Sequence, residues 1–164
     1  MEVAFYAAGA VAVIATVMVI TRTNAIHALL YMILSLLSVA LIFFILGAPF
    51  LAALEIIIYA GAIMVLFVFV VMMLNLRPMP GGAGTFWTRP RSVLGPAILA
   101  AILLVELIYV LLQMETTPAA GIAQSPQQVS ASLFGPYLLG VELSSILLLA
   151  GLIGAYHLGR RQQR

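Results

Sequence analysis

The sequence predicts an all-α integral membrane protein with five transmembrane helices, its N-terminus periplasmic and its C-terminus cytoplasmic. Three observations lead to this prediction. Of the 164 residues, 65% are hydrophobic and only 7% are charged, whereas soluble domains carry about 25% charged residues. Five apolar stretches are each long enough to cross a hydrocarbon core of about 30 Å. All seven basic residues fall in alternate loops.

The first predicted helix follows Glu2 and has only Thr16 as a polar interruption. A cleaved signal peptide carries its basic residues before its apolar core, but the first basic residue here, Arg22, comes after it. We therefore expect an uncleaved helix that remains part of the protein.

The chain is expected to form a single membrane domain over residues 1–164. Gly47-Ala48-Pro49 is a turn so short that the helices on either side should be antiparallel neighbours. Residues 77–92 and 113–135 are predicted to be loops, because proline and polar residues interrupt the apolar pattern there. The predicted helices cover about residues 3–20, 26–46, 50–76, 93–112 and 136–158.

The basic residues, all arginines, predict the orientation of these helices. One lies in the first loop, three lie in the third loop and three lie in the C-terminal tail. The positive-inside rule then makes the loop 77–92 cytoplasmic and the loop 113–135 periplasmic. A basic cluster that binds lipid or nucleic acid is the alternative explanation. The arginines are Arg22, Arg77, Arg89, Arg91, Arg160, Arg161 and Arg164.

The third helix contains one acid, Glu55, in an otherwise uncharged run. A carboxyl group inside a membrane span costs about 2.5–3.5 kcal/mol on insertion scales, and each large apolar residue returns about 0.3–0.6 kcal/mol. The helix should therefore insert despite Glu55. An acid kept at such a cost is a candidate functional residue, and a neutral glutamic acid bonded to a neighbouring helix is the alternative.

The fourth and fifth helices each carry one further acid, Glu106 and Glu142. At 1.5 Å per residue, these two acids and Glu55 lie roughly 7–11 Å inside the outer membrane boundary. Three carboxyl groups at one depth predict a polar layer for proton movement or for hydrogen bonds between helices. For Glu106 we expect a protonated group bonded to a backbone or serine partner. For Glu55 and Glu142 both interpretations remain open.

The spacing along the third helix places Tyr59 on the same face as Glu55, because residues four apart are neighbours on a helix surface. Gly61 lies near the middle of the span. A glycine there permits either close helix packing or a π-bulge, and spacing alone favours packing.

Catalytic and metal centres of several kinds are excluded by composition. The chain has no cysteine, lysine or aspartate and only two histidines. Disulfides, thiolate metal sites and iron–sulfur ligation are therefore excluded, and no catalytic triad is plausible.

Three segments together resemble one known family. They are ALEIIIYAGAIMVLFVFVVMMLNL in the third helix, NAIHALLYMILSLLSVALIFFILGAPF before it and SLFGPYLLGVELSSILLLAGLIGAYHLGR near the end. They are similar to the J subunits of bacterial proton-pumping NADH:quinone oxidoreductase, respiratory complex I. The resemblance runs from the first helix to the last.

The resemblance implies a π-bulge in the third helix that forms and relaxes as the enzyme changes state, opening and closing a water path. Glu55 would then be a protonatable or water-ordering group, Tyr59 a hydrogen-bonding gate residue and Gly61 the hinge, with Glu142 also on the proton path. The chain would have no active site, metal site or cofactor of its own. NAD, FMN, iron–sulfur clusters and quinone would bind in partner subunits of the complex.

The resemblance also implies partners and a location. The partners would be the quinone-site and antiporter-like membrane subunits, in the bacterial inner membrane, and no nucleic acid. Two alternatives remain. One is a related subunit of a multi-subunit cation/proton antiporter or membrane-bound hydrogenase. The other is a structural packing subunit with no part in proton transfer.

Overall fold

The computed structural model describes residues 2–73, 90–116 and 125–160, and these are helical apart from short turns. Five of the helices are long and apolar enough to cross a membrane, as the sequence predicts. The chain is therefore an all-helical, multi-pass membrane protein. Its helices are α1 (Glu2–Thr21), α2 (Ala25–Ile45), α3 (Pro49–Met73), α4 (Pro90–Thr116), α5 (Pro126–Leu133) and α6 (Leu138–Gly159), of which α5 is too short to span.

A polar capping residue begins α2, and a glycine turn ends it. The Asn24 side chain accepts a hydrogen bond from the Ile26 amide at 3.0 Å and so caps the first turn. At the other end, Gly47 has a φ of 82°, a left-handed conformation that favours glycine. The Ala48 amide donates to the Phe43 carbonyl across this turn, and the predicted antiparallel pair α2–α3 results.

The structure corrects the predicted boundaries in two places. Residues 126–133, predicted to lie in a loop, form α5 because Ser125 and Gln128 build a capping box around its first turn. The fourth helix begins at Pro90, where proline fits a first turn, and is longer than predicted. Residues 74–76 of the predicted third helix and most of the loop 77–92 lie outside the described residues.

The chain divides into two compact units, Met1–Ala123 and Gln124–Arg164. In the first unit α2 contacts α1, α3 and α4, so it is the central helix. The single domain over residues 1–164 stays a prediction. The buried core of the first unit contains Ala8, Val11, Ala15, Tyr31, Leu34, Leu41 and Leu103.

Hydroxyl groups join α1 to α2, from the buried core at Ser38 outward to the exposed Thr16. Ser38, fully buried, donates to the Ala8 carbonyl, and Ser35 donates to the Ala12 carbonyl at 3.3 Å. The Thr16 and Ser35 hydroxyls are 2.9 Å apart. Hydrogen bonds between helices add to van der Waals packing, which is the main source of association in lipid. The pair α1–α2 is therefore tightly fixed.

Candidate functional site

The central feature of α3 is a nine-residue π-helical segment, Glu55–Ile63, between two α-helical halves. At its end the Met64 amide bonds to the Tyr59 carbonyl, five residues earlier. This is the π-helical hydrogen-bond pattern, and such segments are rare and frequent at functional sites. The segment contains all three predicted site residues of the third helix, Glu55, Tyr59 and Gly61.

The backbone of α3 itself lies close to Gly61. A Cβ atom at this position would lie 3.1 Å from the Ile56 carbonyl oxygen. Ile56 is five residues earlier, so the close approach follows from the π winding, in which each amide turns toward the carbonyl five residues back. A side chain at Gly61 would have to displace that carbonyl by a few tenths of an ångström. Glycine here accommodates the π winding.

Glu55 and Tyr59 lie near the start and middle of the π segment. Glu55 is half-buried and Tyr59 is exposed in the chain on its own. Within the described part of the chain, no hydrogen bond joins either side chain to another residue. The structure therefore places the two on one helix segment but does not pair them.

An apolar pocket of about 430 Å³ adjoins the π segment. Ala52, Ala53 and Ile56 of α3 line one side of it, and side chains of α2 and α4 line the rest. The pocket is about half open to the surface of the chain, so α2 and α4 do not pack closely against this side of α3 and its side chains there have room to repack. The residue at the edge of the pocket, Ile56, is the same one whose carbonyl approaches Gly61.

Glu142, the fourth predicted site residue, belongs to the second unit. It is exposed in α6, which buries none of its residues within the described part of the chain. The Ser145 hydroxyl donates to the Glu142 backbone carbonyl at 2.8 Å, a bond within one helix turn. The part of Glu142 in a proton path stays a prediction.

Glu106 is buried against α1. It is 7% exposed and faces the Ala8 backbone, the kind of partner expected for it, although this contact falls short of a well-formed hydrogen bond among the described residues. Ser38, the one fully buried serine nearby, already donates to the Ala8 carbonyl. The sequence indicates the depth of Glu106 but not the rotation of α4 that decides which groups it meets.

Sequence comparisons identify the family of this chain. Residues 15–158 match the family described as NADH-ubiquinone/plastoquinone oxidoreductase chain 6. The chain belongs to this family.

Several relatives are named NADH-quinone oxidoreductase subunit J. The one from Pseudomonas aeruginosa is 57% identical over 167 residues, covering 100% of this chain and 99% of the relative. The one from Escherichia coli strain K12 is 54% identical over 163 residues, covering 99% of this chain and 89% of the relative. The one from Buchnera aphidicola subsp. Acyrthosiphon pisum is 46% identical over 159 residues, covering 97% of this chain and 94% of the relative. These relatives confirm the resemblance to the J subunits of complex I.

The full sequence has no cysteine, so thiolate ligation of a metal or an iron–sulfur cluster is excluded. Among the described residues no cluster of three or more His, Cys, Asp or Glu side chains could hold a metal ion, and the absence of a metal site stays a prediction. The binding of NAD, FMN, iron–sulfur clusters and quinone by other subunits of the complex stays a prediction.

Proposed function

We propose that this chain couples quinone reduction to proton pumping in a NADH:quinone oxidoreductase by rewinding the π segment of α3. The observation that carries the proposal is the π winding over Glu55–Ile63, which contains an intramembrane acid, a tyrosine and a glycine. Intramembrane acids are expensive and mark ion or proton pathways. The chain has no active site of its own and acts through the enzyme's other subunits.

Rewinding changes which side chains face a path along α3. When a π segment relaxes to α, the hydrogen-bond register moves by one residue, and the helix beyond it rotates by about 100°. The two halves of α3 then turn relative to each other. Each half has one buried residue, Ala52 in the first and Met64 in the second, so the movement repacks α3 against its neighbours. The apolar pocket beside Ala53 and Ile56 leaves room for this repacking.

In this mechanism Glu55 and Tyr59 form the polar part of the path. Glu55 takes up and releases a proton or orders water, and the Tyr59 phenol donates or accepts a hydrogen bond beside it. In one winding the apolar side chains that follow Gly61 face the path and close it. In the other winding they turn away from the path and it opens. Neither side chain is engaged within the described part of the chain, so both are available to water or to a neighbouring subunit.

The test is Glu55→Gln in the whole enzyme. Glutamine keeps the size of a neutral carboxylic acid but exchanges no proton. We expect the enzyme to assemble and its quinone reductase rate or its pumped-proton yield to fall. Glu2→Gln, at the start of α1, is the control for removing an acid outside the segment. Normal pumping in an assembled Glu55→Gln enzyme would contradict the proton role.

The N-terminus is periplasmic in this proposal, and the membrane is the bacterial inner membrane. The partners are the quinone-site and antiporter-like subunits, which lie on either side of the path. A mass-spectrometric inventory of the solubilised native complex tests the partners. Flavin and iron–sulfur subunits in that inventory are expected, whereas antiporter or hydrogenase subunits in their place would contradict the proposal.

A further inference from the structure

The short loop between α1 and α2 holds one arginine at a membrane boundary. α1 has 20 residues, which span about 30 Å and so match the thickness of a hydrocarbon core. Arg22 is the first residue after α1, and α2 begins at Ala25. A loop this short cannot extend far into water. Arg22 therefore lies at the depth of the lipid headgroups.

The side chain of Arg22 is folded back against the helices. Its Nη2 atom lies 3.3 Å from the sulfur of Met18, one turn back along α1, and its Cζ atom lies 5.5 Å from the centre of the Tyr31 ring. Tyr31 is buried in α2. An arginine near the end of a span usually extends its side chain outward. Here a cation–π contact with a buried ring holds the guanidinium in place before any ligand binds.

The guanidinium is far from the acids of the first unit among the described residues. Glu106 faces the Ala8 backbone, and Ala8 is about 21 Å from Arg22 along α1. The other acids of these helices are Glu2 at the start of α1, Glu55 beyond the turn at the far end of α2, and Glu115 in the last turn of α4. Arginine stays charged and carries five N–H donors, most of which are therefore open to an anionic ligand.

We propose that Arg22 binds the phosphate group of a membrane phospholipid. The planar guanidinium matches phosphate oxygens with two parallel hydrogen bonds. Met18, partly buried beside the guanidinium, offers apolar surface to the first carbons of an acyl chain. This site is separate from the π segment of α3 and does not depend on its rewinding.

The depth of Arg22 favours a lipid phosphate over other anions. Anionic lipids attract basic residues close to the membrane surface, which is where the short loop confines Arg22. The positive-inside rule explains why an arginine lies on this side of the membrane, but it does not explain why the guanidinium is held against Tyr31. A free phosphate has the same chemistry, and a carboxylate of a neighbouring subunit is the remaining alternative.

The first test is photolabelling of the assembled enzyme in reconstituted vesicles. One probe is a phosphatidylglycerol with a diazirine near its headgroup, and the other is a diacylglycerol with the same diazirine but no phosphate. Mass spectrometry measures adducts at the loop between α1 and α2 and, as an internal control, at the turn around Leu46, which is 65% exposed. We expect the phosphatidylglycerol to label the loop about fivefold more than the diacylglycerol does. Equal labelling by the two probes would overturn the proposal.

The second test asks whether this labelling depends on Arg22. Arg22→Gln removes the charge and should lower labelling of the loop by about fivefold, with the Leu46 signal unchanged. Arg22→Lys keeps the charge but loses the planar contacts, so we expect a smaller loss. Tyr31→Phe keeps the ring beside the guanidinium and is the control that should leave labelling unchanged.

Two results of the second test would refute a lipid site. Undiminished labelling in Arg22→Gln is the result expected if a carboxylate of another subunit holds the guanidinium. Inorganic phosphate added to a parallel wild-type sample should not lower labelling, and a fall to the Arg22→Gln level would assign the site to a free phosphate instead. The comparison of the two probes uses the wild-type chain, so it decides the question even where Arg22→Gln assembles poorly.

Discussion

Replacing Gly61 tests the π segment most directly, because the structure shows what a side chain there would meet. In the π winding, an alanine Cβ would lie 3.1 Å from the Ile56 carbonyl oxygen. An α winding pairs each amide with the carbonyl four residues back, so it does not draw the Ile56 carbonyl onto this position. A side chain at Gly61 therefore favours the α winding over the π winding.

The size of this bias follows from packing energies. Overpacking costs about 1–3 kcal/mol, and the carbonyl must yield by only a few tenths of an ångström. For Gly61→Ala we take about 1 kcal/mol, which changes the ratio of windings about fivefold. Gly61→Val adds a branched side chain with a restricted χ1, and about 2.7 kcal/mol would change the ratio about a hundredfold.

The assay is NADH-driven proton pumping in inverted membrane vesicles, beside native-gel measurement of assembly. We expect Gly61→Val to assemble and lose most of its coupled turnover, with Gly61→Ala milder. Gly9→Val is the matched control, because a Cβ at Gly9 meets no atom within 4 Å. Equal assembly failure in both Gly61 variants would indicate a packing glycine instead. Full pumping in Gly61→Val would refute the rewinding argument.

Three further predictions follow from the fold. Ala53→Phe should fill the apolar pocket beside α3 and lower coupled turnover in an assembled enzyme, and unchanged turnover would mean that the pocket is not used. Gly95→Ala should place a methyl group against the Tyr31 hydroxyl and destabilise the chain by about 1–3 kcal/mol. Its thermal stability on native gels should recover when Tyr31→Phe removes that hydroxyl, and no recovery would contradict the contact. A membrane-impermeant thiol reagent should label Ala48→Cys but not Gly82→Cys in cells with a permeabilised outer membrane, and the reverse result would invert the proposed orientation.

The number of spans was predictable from the sequence because apolar length alone decides it. Each span is a continuous hydrophobic run, and Gly47 with Pro49 marks the tightest turn. The short helix α5 was missed because its eight residues are too few and too polar for the membrane-span pattern that identified the other helices. A local signal for it was present, since serine at 125 is followed three residues later by glutamine, which is the pattern of a capping box.

The spacing of residues along α3 did not predict whether the helix is wound as an α-helix or as a π-helix. The apolar residues around Gly61 suit an α-helix and a π-helix equally, and a glycine is compatible with both. Only the family resemblance implied the π segment that the structure contains. Which group Glu106 meets was unpredictable for a related reason. Its depth depends on position in the sequence, but its neighbours depend on how α4 rotates against α1.

The described helices include one fixed pair and one helix that can change its winding. α1 and α2 are joined by a buried hydrogen bond from Ser38 and a partly buried one from Ser35, and a rotation of either helix would break both. The π segment of α3 contacts α2 but has no buried residue, so a change of its winding disturbs packing mainly at the flanking buried residues Ala52 and Met64. Substitutions at Gly61 should therefore reduce coupling while assembly of the enzyme persists.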